Sequence, residues 1–203
     1  MKKLHLWGIL ALLAFGLASC TDDNEVDDPN RYFVICPYTF NFHFDEYGNC
    51  EASGITPLTA EEFARSVVGA GWKHIVTHRL YSDGTTDSEN FYEEMVGMNP
   101  TSYYYKDDHT CILYFLVDAV PAACYAVRDY QYEEDSNWIF VGEQKEAQII
   151  ELEGDDMWVL QTLGVTSDDE KIYGLSYYCR MTDQELKTYQ ETYNIDYGQA
   201  WWN

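Results

Sequence analysis

Apolar and polar positions alternate with a period of two over much of this chain, and the alternation is broken at short intervals by acidic turns. In "RYFVICPYTFNFHFD", Phe40, Phe42 and Phe44 alternate with Asn41, His43 and Asp45, so one face of an extended segment is apolar and the other polar. Pro37 marks a break or an edge position there. "TAEEFARSVVGAG" changes period: Phe63, Val67 and Val68 share one helical face, Thr59 with Glu62 makes a capping box, and Gly69 and Gly71 end the helix. The period of two then returns. Strands are predicted at 72–81, 102–106, 111–117, 122–132, 138–141, 147–152, 157–163 and 173–181. Ser82-Asp83-Gly84, Asp107-Asp108, Val120-Pro121, Glu133-Glu134-Asp135, Gly154-Asp155-Asp156 and Ser167-Asp168-Asp169 separate them. Thr182 to Tyr193 reads as a second helix, with Thr182 as its cap and Glu185 reaching back.

These segments make eight strands in sequence with no helical crossover between them. The pattern predicts an all-β, mainly antiparallel fold, an eight-stranded up-and-down barrel with a short helix before it and another after it. Eight is the number at which such a sheet closes around a small interior, and closure removes exposed sheet edges. The extension at 31–57 either adds a strand or plugs an end of the barrel.

The N-terminus carries a different pattern. Met1-Lys2-Lys3 is a positive start, 4–17 is mostly apolar, and Leu17-Ala18-Ser19 supplies small residues before Cys20. This is the layout of a secretory signal, too short to span a bilayer, which takes about 20 apolar residues. Leu17-Ala18-Ser19-Cys20 resembles the lipobox of bacterial lipoproteins. The resemblance implies cleavage before Cys20 and lipidation of its thiol, which anchors a chain stably when several acyl chains are attached. "TDDNE" after it resembles the acidic export signal of surface lipoproteins in Bacteroides-type bacteria. The expected organisation is therefore a signal peptide at 1–19, a lipidated Cys20 with an acidic tether at 20–30, the strand-like extension at 31–57, and the barrel domain with its C-terminal helix at 58–203. The expected location is the outer membrane, facing the cell surface.

Charge narrows the partners. The chain has 12 basic and 35 acidic residues, a formal net charge of −23. Loss of Lys2 and Lys3 with the signal makes it more negative still. Such a chain repels nucleic acid and anionic membrane surfaces. Aromatics make up 16% of the residues, with 18 Tyr and 6 Trp, which is the composition of a packed domain and not of a disordered one. Most belong to cross-strand pairs and core. Five cysteines besides Cys20 (Cys36, Cys50, Cys111, Cys124 and Cys179) leave an odd thiol in an oxidising compartment, and Cys36 with Cys50 is the pair to test first.

The order of elements carries a second resemblance. A short helix leads into Gly71-Trp72 at the start of the first barrel strand, the meander follows, and "YYCR" lies in the last strand. This resembles lipocalin-like (calycin) proteins, including small lipocalin-like lipoproteins of Bacteroides-type bacteria, from Thr59 to Thr182. The resemblance implies that Arg180 packs across Trp72 and closes one end of the barrel, a cation–π contact with stacking. It also implies a binding protein, not an enzyme.

Candidate chemistry is sparse. In a regular strand His74 and His78 share a face with Trp72, Val76 and Leu80, the expected interior. Four residues along a strand span ~13 Å, too far for both to hold one metal ion. Tyr103 and Tyr105 share a face, and Tyr125 lies on the next long strand. These five residues, His74, His78, Tyr103, Tyr105 and Tyr125, are the expected ligand contacts for a small apolar or amphipathic molecule. The alternative is a surface module that binds a glycan or a protein through exposed Tyr and Trp, with Trp201 and Trp202 as its first candidates. No catalytic residue, metal site or cofactor motif is expected: no nucleophile elbow, Cys/His metal spacing or phosphate loop occurs.

Overall fold

The computed structural model describes residues 30–35, 38–81, 86, 90–94, 99–117, 122–165 and 171–200, with side chains from residue 40 onward except 94, 199 and 200. In chain order the elements are β1 (Asn30–Ile35), β2 (Tyr38–Phe44), β3 (Cys50–Ser53), α1 (Ala60–Ser66), β4 (Gly71–Leu80), α2 (Phe91–Glu94), β5 (Ser102–Tyr105), β6 (Thr110–Val117), β7 (Ala122–Glu133), β8 (Trp138–Val141), β9 (Gln144–Glu153), β10 (Asp156–Val165), β11 (Lys171–Arg180), α3 (Asp183–Thr192), β12 (Ile195–Asp196) and α4 (Tyr197–Ala200). The signal peptide, Cys20, the tether up to Pro29, Cys36, Trp201 and Trp202 lie outside the described residues.

All eight predicted barrel strands form, and they close. Antiparallel ladders run β4–β5–β6–β7–β8–β9–β10–β11, and β11 pairs back onto β4. This is the eight-stranded up-and-down barrel. Both capping boxes also form. The Thr59 hydroxyl accepts from Glu62 N and the Glu62 carboxylate accepts from Thr59 N, and Thr182 with Glu185 repeats the arrangement. Two of the four orphan N–H groups at each helix start are thereby satisfied.

The N-terminal extension does more than add a strand. The run is divided into β1, ending at Ile35, and β2, starting at Tyr38, which with β3 make a separate three-stranded sheet. Phe40, Phe42 and Cys50 of this sheet pack against Leu80, Trp158, Leu160, Tyr173 and Leu175 on the outer wall of the barrel. The Ala52 N–H donates to Gln148 Oε1 across the junction. The molecule therefore has two cores, one inside the barrel and one between its outer wall and this sheet. On another side, α3 lies over the outer faces of β4 and β6. Lys73 pairs with Glu185 at 2.6 Å, and the Tyr114 ring meets Tyr189 and Tyr193 edge to face. Many of the tyrosines are accounted for by these three packings.

Candidate binding site in the barrel interior

One end of the barrel is sealed by α1. Phe63 stacks on Tyr132 with ring centroids 4.0 Å apart and meets Tyr105 and Tyr130 at 6.3 and 6.2 Å. The Trp72 Nε1–H donates to Val67 O, and Arg180 Cζ lies 5.0 Å from the centroid of the Trp72 ring. Arg180 also donates to Ser66 O at the end of α1 and pairs with Asp155 at 2.9 Å. One guanidinium thus ties the last strand, the first strand, the sealing helix and a turn.

Above this seal, β4 is not regular. Tyr178 stands opposite His74 and Tyr177 opposite Val76, so Ile75 is an extra residue, a bulge. A bulge moves every later side chain to the other face. Trp72 and His74 face inward. After the bulge, Thr77 and Arg79 face inward, while Val76, His78 and Leu80 turn to the outer wall. Leu80 accordingly belongs to the outer core, and His78 stands opposite Leu175 of that same core. The expectation that His74 and His78 share the interior is corrected: it assumed a regular strand.

The inward groups around His74 are polar and form two hydrogen-bonded sets, which meet where the His74 and Tyr178 rings touch. His74 Nε2 lies 2.7 Å from Thr77 Oγ1, which lies 2.6 Å from Ser176 Oγ. The Tyr103 hydroxyl donates to Glu146 Oε1 at 2.5 Å and accepts from Gln161 Nε2 at 3.4 Å. The Tyr178 hydroxyl donates to Gln161 Oε1 at 3.2 Å. Glu146 reaches inward because β9 carries its own bulge there: Ala147 pairs with Ile139 and Lys145 with Phe140, leaving Glu146 extra. Around this chain the wall is apolar, with Leu113, Ile139, Ala147, Ile149 and Val159.

Burial sets the electrostatics. It pushes the phenols of Tyr103, Tyr105 and Tyr178 well above their ordinary range, with the Glu146 charge adding to each, so their hydroxyls stay protonated donors. It lowers His74 to about 4, so the imidazole is neutral. Arg79, opposite Gly174, keeps a buried Nε–H with no hydrogen-bond partner among the described residues.

Of the five expected contacts, His74, Tyr103 and Tyr105 come together inside. Tyr125 does not. It stands opposite Tyr114, whose ring packs under α3 on the outside, so it faces outward in the alternation of β7. The sequence reading missed Glu146, Gln161, Thr77 and Ser176. Two clefts of about 450 and 400 Å³ lie elsewhere, between the N-terminal sheet and the outer wall. Phe40, Asn41, Ile150 and Glu151 line the first, and His43, Trp138, Lys145 and Tyr173 the second.

Among the described residues no group of three His, Cys, Asp or Glu side chains is placed to hold a metal ion. Cys50, Cys111, Cys124 and Cys179 are free thiols, and the first three are buried. The Cys36 half of the suggested pair lies outside the described residues.

No family model matches this chain, and no curated protein matches it. Among solved structures it is similar to bovine odorant binding protein complexed with its natural ligand, with a TM-score of 0.37 and 10% identity over 62% of this chain and 79% of that one. The same bovine protein in complex with undecanal gives 0.35 and 12% identity over 63% of this chain and 83% of that one. The barrel itself rests on the strand ladders above.

Proposed function

We propose that this chain is a non-enzymatic, lipid-anchored outer-membrane protein whose lipocalin-like barrel binds a small apolar or amphipathic molecule. The observation that carries the binding role is the polar chain inside the barrel. A core serving packing alone buries apolar side chains, and each buried polar group costs desolvation that only good bonding offsets. Here Glu146, Gln161, Tyr103, Tyr178, His74, Thr77 and Ser176 are grouped at one level of an apolar wall. A few fixed polar groups in a mostly apolar concavity are what orient a small ligand. Arg79 supplies a further donor. The anchoring half of the proposal rests on the lipobox-like Leu17-Ala18-Ser19-Cys20 and the acidic stretch behind it.

The test is native mass spectrometry of the chain from Thr21 onward, exported to an oxidising compartment. A discrete excess mass that is lost on denaturation identifies an occupant. No excess mass, even after incubation with a lipid mixture, refutes the carrier role and favours the glycan or protein surface. Cys20→Ala tests the anchor separately: the full chain moves from the membrane fraction to the soluble one.

A further inference from the structure

Between Trp72 and the bridge of Leu80 to Thr86, one edge of β4 has no strand partner among the described residues. β5 pairs with β4 only at Gly71 and Trp72. Beyond that point β4 turns to side chains on this edge: His74 N donates to Ser102 Oγ, and Thr77 N donates to Asn90 Oδ1. Asn90 Oδ1 also accepts from Tyr92 N at 3.4 Å, so one amide holds the short α2 turn against the strand. From this turn the Tyr92 ring meets the His74 imidazole edge to face, with centroids 5.2 Å apart at 90°. Tyr178 meets the same imidazole at 5.5 Å and 81°. Burial lifts the Tyr92 phenol to about 12, and the Glu146 carboxylate adds to the lift. The Tyr92 ring thus reaches the inward-facing His74, though it comes from a four-residue turn and not from the barrel.

We propose that the place held by the Tyr92 ring is a binding site for a small para-substituted phenol, and that Tyr92 occupies it when the ligand is absent. The inference rests on the barrel-interior reading and names its ligand class. His74 and Tyr178 offer edges and faces to a planar ring. Glu146, whose charge acts on the Tyr92 phenol, and the hydroxyls of Tyr103 and Tyr178 are the interior groups that would answer a hydroxyl on such a ring. Displacing Tyr92 requires that α2 release the weak bonds to Asn90 and shift the buried Phe91 beside it, while the eight ladders stay intact.

Tyr92→Ala deletes the stand-in, and p-cresol restores the deleted group as a free molecule. The apolar analogue toluene lacks the hydroxyl. By isothermal titration calorimetry, Tyr92→Ala is expected to bind p-cresol at least tenfold more tightly than the wild type does, and more tightly than it binds toluene. Tyr92→Phe keeps the ring and is expected to bind p-cresol no better than the wild type. Equal p-cresol affinity in wild type and Tyr92→Ala overturns the proposal, as does equal affinity of Tyr92→Ala for toluene. If Tyr92→Ala does not fold alone, p-cresol present during refolding must restore its circular dichroism, and failure to do so also overturns it. If p-cresol fails while native mass spectrometry of the wild type still shows a bound amphiphile, this site is wrong and the barrel reading stands. If p-cresol binds as expected while the wild type carries nothing, the site stands and the broader carrier reading falls.

Discussion

His74 makes folding stability depend on pH in a window that can be calculated. In the unfolded chain a histidine takes up a proton near its ordinary value of about 6.5. In the fold, burial among Tyr92, Tyr178 and Thr77 holds it at about 4. The folded pKa is depressed, so between these values the unfolded chain binds a proton that the folded chain refuses. The contribution of neutral His74 is fully present above pH 6.5, falls as the pH drops, and levels off below 4. At pH 5 the unfolded residue is almost fully protonated and the folded one only about a tenth, a difference of about 2 kcal/mol. The assay is urea unfolding of wild type and His74→Gln at pH 7.5 and at pH 5. Glutamine keeps a polar group near Thr77 and has no charge to gain. The wild type should lose about 2 kcal/mol more than the variant between the two conditions. Equal losses would refute the reasoning, because they would mean that the imidazole is charged in the fold or reached freely by water. Titration of the His74 ring protons by NMR reads the same quantity directly.

Three further outcomes are expected. Arg180→Ala removes the stacking on Trp72 and the bonds to Ser66 and Asp155, and should cost about 2 kcal/mol in urea unfolding at unchanged m; Arg180→Lys should recover little of it, since an ammonium cannot stack and bridge together. Gly174→Ala would place a Cβ 2.7 Å from both Leu163 Cδ1 and Thr77 Cγ2, so it should lose about 1–3 kcal/mol in thermal melts, whereas Gly164→Ala, with nothing within 4 Å, should not. In the native protein, alkylation followed by peptide mass mapping should label Cys179 before Cys50, Cys111 and Cys124, because the latter are buried and burial pushes the Cys50 and Cys111 thiols up, away from the reactive thiolate.

The strands and caps were legible because each is a local signal. An alternation of a few residues and a Thr followed three positions later by Glu are enough. The second core was not legible. Phe40 and Phe42 show an apolar face but not what it meets, and "MWVLQ" reads as one buried run although Met157 and Val159 face inward while Trp158 and Leu160 face the N-terminal sheet. The bulge at Ile75 left no mark, since "KHIVTHRL" alternates acceptably in either frame, and this sent His78 to the wrong face. Glu146 was missed for the same reason: "EQKEAQ" reads as solvated surface until a bulge turns one carboxylate inward. Tyr92 lies in "ENFYEE", whose acidic setting reads as loop.

The two layers over the barrel give its wall an uneven mechanical character. β9, β10 and β11 carry packed side chains on both faces, and α3 braces β4 and β6. Past its short pairing with β12 at Cys124 and Tyr125, the outer face of β7 carries no such layer among the described residues: Val127 is 45% exposed, and Asp129 and Gln131 are exposed beside it. Bending stiffness is therefore concentrated on one side of the cylinder, and thermal breathing is directed to the other. Amide exchange should be slowest along β10 and β11 and fastest around Val127 in β7, between its pairings with β12 and with β8. A molecule that enters by deforming the wall meets the least resistance there, so the sheet docked against the far side helps decide where the barrel yields.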